Sequence, residues 1–185
     1  MDAGPLITLA AADSLDYLLY PNVPVYVPDA VLYEATSDSA ALGAAEILSW
    51  AQANSEQVRT ISTEVFFNYI ESRAANPARR EKDLGERAAI EAIHDGVHLA
   101  PHERAILITE EDRVLRRVLV VEAELTAKMI PITTRDFLQA MERAHRINSA
   151  EEVYRRAEDA GRLAGRRAAL ADQHERAREA VDRLL

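Results

Sequence analysis

The stretch Ala105-Ile106-Leu107-Ile108-Thr109-Glu110-Glu111-Asp112 constrains this chain more than any other. Its apolar run is too short for a helix and suits a strand buried on both faces of a parallel sheet. Three consecutive acids stop it, and Arg113-Val114-Leu115-Arg116-Arg117 then reads as a helix start. Open α/β sheets collect ligands outside the carboxyl ends of their strands. Carboxylates crowded at such an end repel one another, a cost that a purely structural junction avoids. The plainer explanation is that the acids favour the positive N-terminus of the following helix. The rest of the chain has to separate the two.

Short strands and helices alternate around this stretch. Asp2-Ala3-Gly4-Pro5 places a carboxylate at a loop, with Pro5 where a helix can begin, and Leu6, Ile7, Leu9 and Ala10 continue an apolar helical face. A short helix is expected over 14–20 and a strand over 23–27. Asp29 then reads as the N-cap of a helix carrying Glu34 one turn in. The alanine-rich segment 40–53 predicts a helix, 58–61 a strand, and Ser62 or Thr63 the cap of a helix through Phe66, Phe67 and Ile70. The polar run 72–82, with Asn76-Pro77, reads as a loop. Leu84, Ala88, Ala89 and Ala92 share one face of the next helix, whose first turn holds Glu86. A last strand is expected over 129–132, followed by Thr133 and Asp136 at capping-box spacing. This alternation predicts an α/β domain with a mostly parallel sheet.

Composition narrows the chemistry. At 185 residues the chain suits one domain with an appendage, and no apolar run is long enough to span a bilayer or serve as a signal peptide. It has no cysteine, so neither a disulfide framework nor a thiolate metal site is available, consistent with a cytoplasmic protein. Its formal net charge of −9 argues against nucleic-acid binding by bulk charge. A nuclease survives that argument, because metal ions in an acidic pocket reverse its local sign. The five histidines show no HExxH spacing, and the chain has no phosphate-cradling glycine loop, nucleophile elbow or dinucleotide fingerprint. Four acidic positions remain at strand ends or first helical turns: Asp2, Glu34, Glu86 and the Glu111/Asp112 pair. One such acid is a cap; four suggest a shared pocket. Their hard oxygen donors favour Mg²⁺ or Mn²⁺, ions that serve phosphate chemistry.

Taken in order, these segments resemble the PIN domains. Asp2-Ala3-Gly4-Pro5-Leu6-Ile7 is similar to their opening aspartate motif, and the segment from Val27 to Glu34 to the strand and helix carrying their second acid. Leu84-Gly85-Glu86-Arg87-Ala88-Ala89-Ile90 resembles the Gly-Glu-x-x-Ala-Ile helix of the branch that includes VapC-like toxin ribonucleases. Leu107 to Asp112 resembles the strand end bearing the last acids, and Thr133 to Leu138 the final strand–helix junction. The resemblance implies a three-layer sandwich of parallel sheet and flanking helices. It further implies a metal-dependent endoribonuclease, the toxin of a bacterial type II toxin–antitoxin pair, with RNA as substrate and an antitoxin protein as partner. Carried over, Asp2, Glu86 and Glu111 or Asp112 would hold Mg²⁺ or Mn²⁺, and Glu34 would complete a catalytic set with Asp2, Glu86 and Asp112. A non-catalytic PIN-like binding protein is the alternative.

Two departures stand out. The family has a hydrophobic strand before its first aspartate, whereas only Met1 precedes Asp2, so the expected sandwich lacks its first strand. Gly4 also stands where many members have serine or threonine. The likeness covers residues 1–147. Residues 148–185 read as a C-terminal helical extension with a break near Gly161. Leu163, Leu170, Ala177 and Leu184 recur there every seven residues, which fits packing on a partner or a homodimer, or a helix folded back on its own domain.

Overall fold

The computed structural model describes residues 2–81, 83–96, 103–110 and 129–162. The chain is α/β, with two short parallel sheets among packed helices. Helix α1 (Ala3–Ala11) opens it, and a 3-10 turn (Leu15–Leu19) leads to β1 (Val25–Pro28). Helices α2 (Asp29–Thr36) and α3 (Ala44–Ala53) precede β2 (Val58–Ile61), which pairs parallel with β1. Helix α4 (Glu64–Ala75) and helix α5 (Leu84–Glu91), the latter extended by a π turn (Ala92–Gly96), lead to β3 (Ala105–Thr109). Strand β4 (Met129–Thr133) pairs parallel with β3, with Ile106 opposite Ile130 and Thr109 opposite Thr133. Helices α6 (Thr134–Arg143) and α7 (Ala150–Asp159) end the described chain.

Helix α1 sits at the centre of the core. Pro5, Leu6, Thr8, Leu9 and Ala10 are all buried, so its apolar surface exceeds a single stripe, as expected of a helix enclosed by others. Ile47 of α3, Leu138 of α6, and Val153 and Ala157 of α7 belong to the same cluster. Ala150, Val153, Tyr154 and Ala157 therefore fold back on the domain that holds α1. The seven-residue repeat beyond Leu163 lies outside the described residues.

Several local expectations shift. Asp29 is the first helical residue of α2 rather than its cap. Its carboxylate accepts hydrogen bonds from the Ala30 and Thr63 amides and from the Thr63 hydroxyl, tying α2 to the start of α4. Helix α4 persists to Ala75, so the loop after it begins at Asn76 rather than at residue 72. Phe67 and Ile70 are exposed, and Tyr69 is the buried residue of that helix. Leu84, Ala88, Ala89 and Ala92 are all buried, as their spacing predicts. In β3, Leu107 and Ile108 are buried but Ile106 is 58% exposed, so this strand is not covered on both faces.

The β4–α6 junction is the capping box that Thr133 and Asp136 predict. The Thr133 hydroxyl accepts from the Asp136 amide, and the Asp136 carboxylate accepts from the Thr133 amide and hydroxyl. These bonds hold the Asp136 carboxyl below its ordinary value, with a smaller contribution from Arg143 and opposition from burial. A depressed folded-state value stabilises the fold above the ordinary carboxyl range of about 4 and loses that effect as pH falls through the lowered value. Asp136→Ala, which removes the reciprocal arm of the capping box and leaves the Thr133 cap in place, should lower the melting temperature at neutral pH. The gap between its melting temperature and that of the parent chain should close when both are measured near pH 2.

Candidate functional site

The end of β3, the starts of α1 and α5, Glu34 of α2 and Arg162 border a cavity of about 210 Å³. Asp2, Glu34, Asp83, Glu86, Glu110 and Arg162 line it, so five carboxylates face one guanidinium. Each acid arrives by a different local route.

Asp2 caps α1, accepting from the Gly4 amide at 2.8 Å. Its other oxygen accepts from the Thr109 hydroxyl and from the Glu110 amide at 3.1 Å. The Asp2 amide donates to the Ile108 carbonyl at 3.3 Å. Asp2 is thereby only 8% exposed and held to the end of β3 by main chain and side chain together. Gly4 is needed beside it, since a Cβ there would lie 3.0 Å from both Asp2 Oδ1 and Glu110 Cβ. Close approach of α1 to the end of β3 thus accounts for glycine at this position.

Glu34, on α2, accepts from the Gly85 amide at 3.1 Å. A Cβ on Gly85 would stand 2.4 Å from Glu34 Oε2, so glycine lets the two helices meet at this carboxylate. The next residue, Glu86, is half-buried at the cavity wall in the first turn of α5. Glu110 directly follows β3, its side chain 5% exposed. It accepts from the Thr134 hydroxyl at 3.1 Å and pairs with Arg162 at 3.3 Å.

Asp2, Glu34 and Glu86 from the sequence reading thus line one cavity. Glu111 and Asp112 lie outside the described residues. Glu110, one member of the acid triplet, is the carboxylate seen in the cavity from that stretch, and Asp83 is a second acid that the sequence reading passed over. Asp83 had no signal beyond its place before Leu84-Gly85-Glu86. Arg162 was missed because its nearest sequence landmark, Gly161, marks only a break. The left-handed backbone of Gly161 (φ +91°) precedes Arg162, whose guanidinium reaches the Thr8 hydroxyl at 3.2 Å and the Gly4 carbonyl at 3.5 Å.

The donor set is all oxygen, which suits a hard divalent cation by type. Among the described residues, no three carboxylates or histidines form a group able to hold a metal ion. Among those residues, too, no helix is long and apolar enough to cross a membrane. Compared with known proteins, the chain matches no family model, no curated protein and no solved structure.

Proposed function

We propose that this protein is a metal-dependent endoribonuclease with a PIN-like sandwich, acting in the cytoplasm as the toxin of a type II toxin–antitoxin pair. The observation that carries the reading is the meeting of Asp2, Glu34, Glu86 and Glu110 at one cavity by the end of β3. Four chain segments far apart in sequence contribute these acids, and mutual repulsion in so small a space favours a bound cation. Asp2 and Glu86, with Glu111 or Asp112, would hold Mg²⁺ or Mn²⁺, while Glu34 is anchored by Gly85 at the same wall. A bound ion would supply an activated water and would neutralise charge developing on the phosphodiester. The chain's own contribution is to hold the carboxylates in place. Asp2 is held by the end of β3 and Glu34 by the Gly85 amide. The test is cleavage of a single-stranded RNA by the purified chain in Mg²⁺ and in excess chelator. Cleavage in Mg²⁺ alone is expected, and equal cutting in chelator would overturn the mechanism.

One observation favours the alternative, a PIN-like protein that binds without cutting. Both Asp2 oxygens already accept protein hydrogen bonds, and the Arg162 guanidinium already neutralises part of the cavity. Arg162→Ala separates the two readings. If the cavity takes a divalent cation, removing a charge beside Glu110 should tighten Mg²⁺ binding about tenfold by calorimetry, the equivalent of roughly 1.4 kcal/mol of relieved repulsion. A variant that still binds no Mg²⁺ would favour the binding protein.

A further inference from the structure

Helix α7 ends in a reversal that aims one side chain back across the domain. The Gly161 amide donates to the Glu158 carbonyl at 2.8 Å and the Arg162 amide to the Ala157 carbonyl at 2.9 Å, the paired bonds of a Schellman turn. Such a turn needs a left-handed residue, and Gly161 supplies it. A Cβ on Gly161 would meet nothing within 4 Å, so backbone conformation and not space accounts for glycine here. Val153 and Ala157 bury α7 in the core around α1. The reversal therefore starts from a fixed helix and delivers Arg162 alongside α1.

The guanidinium meets a prepared seat. Thr8 Oγ1 accepts from Nε at 3.2 Å, and Glu110 Oε2 and the Gly4 carbonyl lie 3.3 and 3.5 Å from Nη2. Gly4 and Thr8 are one turn apart on α1, so their acceptors share a helical face. Thr8 is fully buried, and among the described residues Arg162 is the partner of its hydroxyl. Leaving a buried hydroxyl unpaired is costly, so Thr8 marks the seat as fitted to this arginine. Yet no contact is as short as the roughly 2.7–2.9 Å of a strong charged hydrogen bond, and the Arg162 side chain keeps 23% of its surface in solvent. The guanidinium is seated but exchangeable.

Arg162 lines the same cavity as Asp2, Glu34, Asp83, Glu86 and Glu110. A guanidinium keeps its charge at any pH at which a protein folds. It cannot admit a metal ion by losing a proton; it must leave or keep the ion out. We propose that Arg162 is an intramolecular latch, a cation of the chain's own that competes with a divalent ion for the acidic cavity and is released from Thr8 when the ion binds. This rests on the metal-dependent reading above and adds its regulation. Thr8 is a positioning residue that acts through Arg162. Coupling between two such occupants is reciprocal: whatever factor the seated guanidinium takes from ion affinity, the bound ion takes from its seating.

The test measures two quantities in the full chain, in Thr8→Val, Thr8→Ser and Arg162→Ala, and in the Thr8→Val/Arg162→Ala double variant. One is the Mg²⁺ dissociation constant by calorimetry; the other is solvent exchange of the Arg162 Nε–H by nitrogen-resolved NMR. Thr8→Val keeps every charge and removes only the acceptor, so it should tighten Mg²⁺ binding about threefold, whereas Thr8→Ser should match the parent. The double variant should bind no more tightly than Arg162→Ala, because the hydroxyl has no effect once the guanidinium is gone. In the parent, Nε–H exchange should be slow without metal and about tenfold faster at saturating Mg²⁺, but unchanged in K⁺ of equal ionic strength. Absence of Mg²⁺ binding in every variant would overturn the metal-dependent reading and the competition with it. Equal Mg²⁺ affinity in the parent, Thr8→Val and Arg162→Ala, with Nε–H still protected at saturation, would overturn the latch alone and leave that reading standing.

Discussion

Glu86→Gln is expected to abolish Mg²⁺-dependent cleavage of RNA while leaving the melting temperature within a degree or two of the parent. The half-buried carboxylate stands in the first turn of α5 at the wall of the acidic cavity, where the amide replacement keeps the shape and removes the charge. Loss of residues that merely orient metal ligands typically costs 10–100-fold, so loss of a ligand should cost at least about a hundredfold. The fold should tolerate it, because the amide keeps the shape of the side chain and removes one of the like charges crowded at the cavity wall. Rate constants over a Mg²⁺ titration, beside thermal melts of both proteins, provide the check. A variant that cleaves at the parent's rate would remove Glu86 from the site.

The largest effect on stability is expected at Leu6. Its side chain is fully buried in α1, in the cluster that also holds Leu9, Ile47, Leu138 and Val153. Leu6→Ala removes apolar surface and leaves a cavity that neighbouring helices can only partly close, at a cost of about 2–5 kcal/mol. For a chain of this length that is a fall of roughly 5–20 °C in melting temperature. Helix α1 carries Asp2 at its N-cap and Gly4 against Glu110, so loosening it should also disorder one wall of the acidic cavity. Chemical denaturation read by circular dichroism measures the first effect. A fall below 1 kcal/mol would show that α1 is not the centre of the core.

What could be read from the sequence was local in origin. Most cap residues declare themselves, Asp29 being the exception, because a side-chain oxygen two or three residues from an orphan amide needs no distant partner. Thr133 with Asp136, Thr63 before α4, and Asp2 before α1 all follow that rule. The small-residue face of α5 was legible for a similar reason, since helical periodicity alone brings Leu84, Ala88, Ala89 and Ala92 to one side. Boundaries set by competition between neighbours were less so. Ser72-Arg73-Ala74-Ala75 fall in the run that reads as a loop yet remain helical in α4, where the Arg73 guanidinium donates to the Tyr33 and Tyr69 hydroxyls.

The acidic site divides along the same line. Sequence by itself placed Asp2 and Glu86 at helix starts and the acid triplet after a strand, because those positions follow from apolar runs and their stops, but it passed over Asp83 and put Glu34 a turn too early in α2. It determined the α/β class through the alternation of those runs. Only tertiary structure decided that Asp2 also accepts from Thr109 and Glu110, that Glu34 meets Gly85, and that Arg162 reaches back to Glu110. It alone also decided that Ile106 is exposed on a strand that reads as buried. The physical reason is range. Caps and periodicity act within one or two turns of chain, whereas Asp2 and Thr109 become neighbours only once the loops between them have closed and α1 has packed against the end of β3.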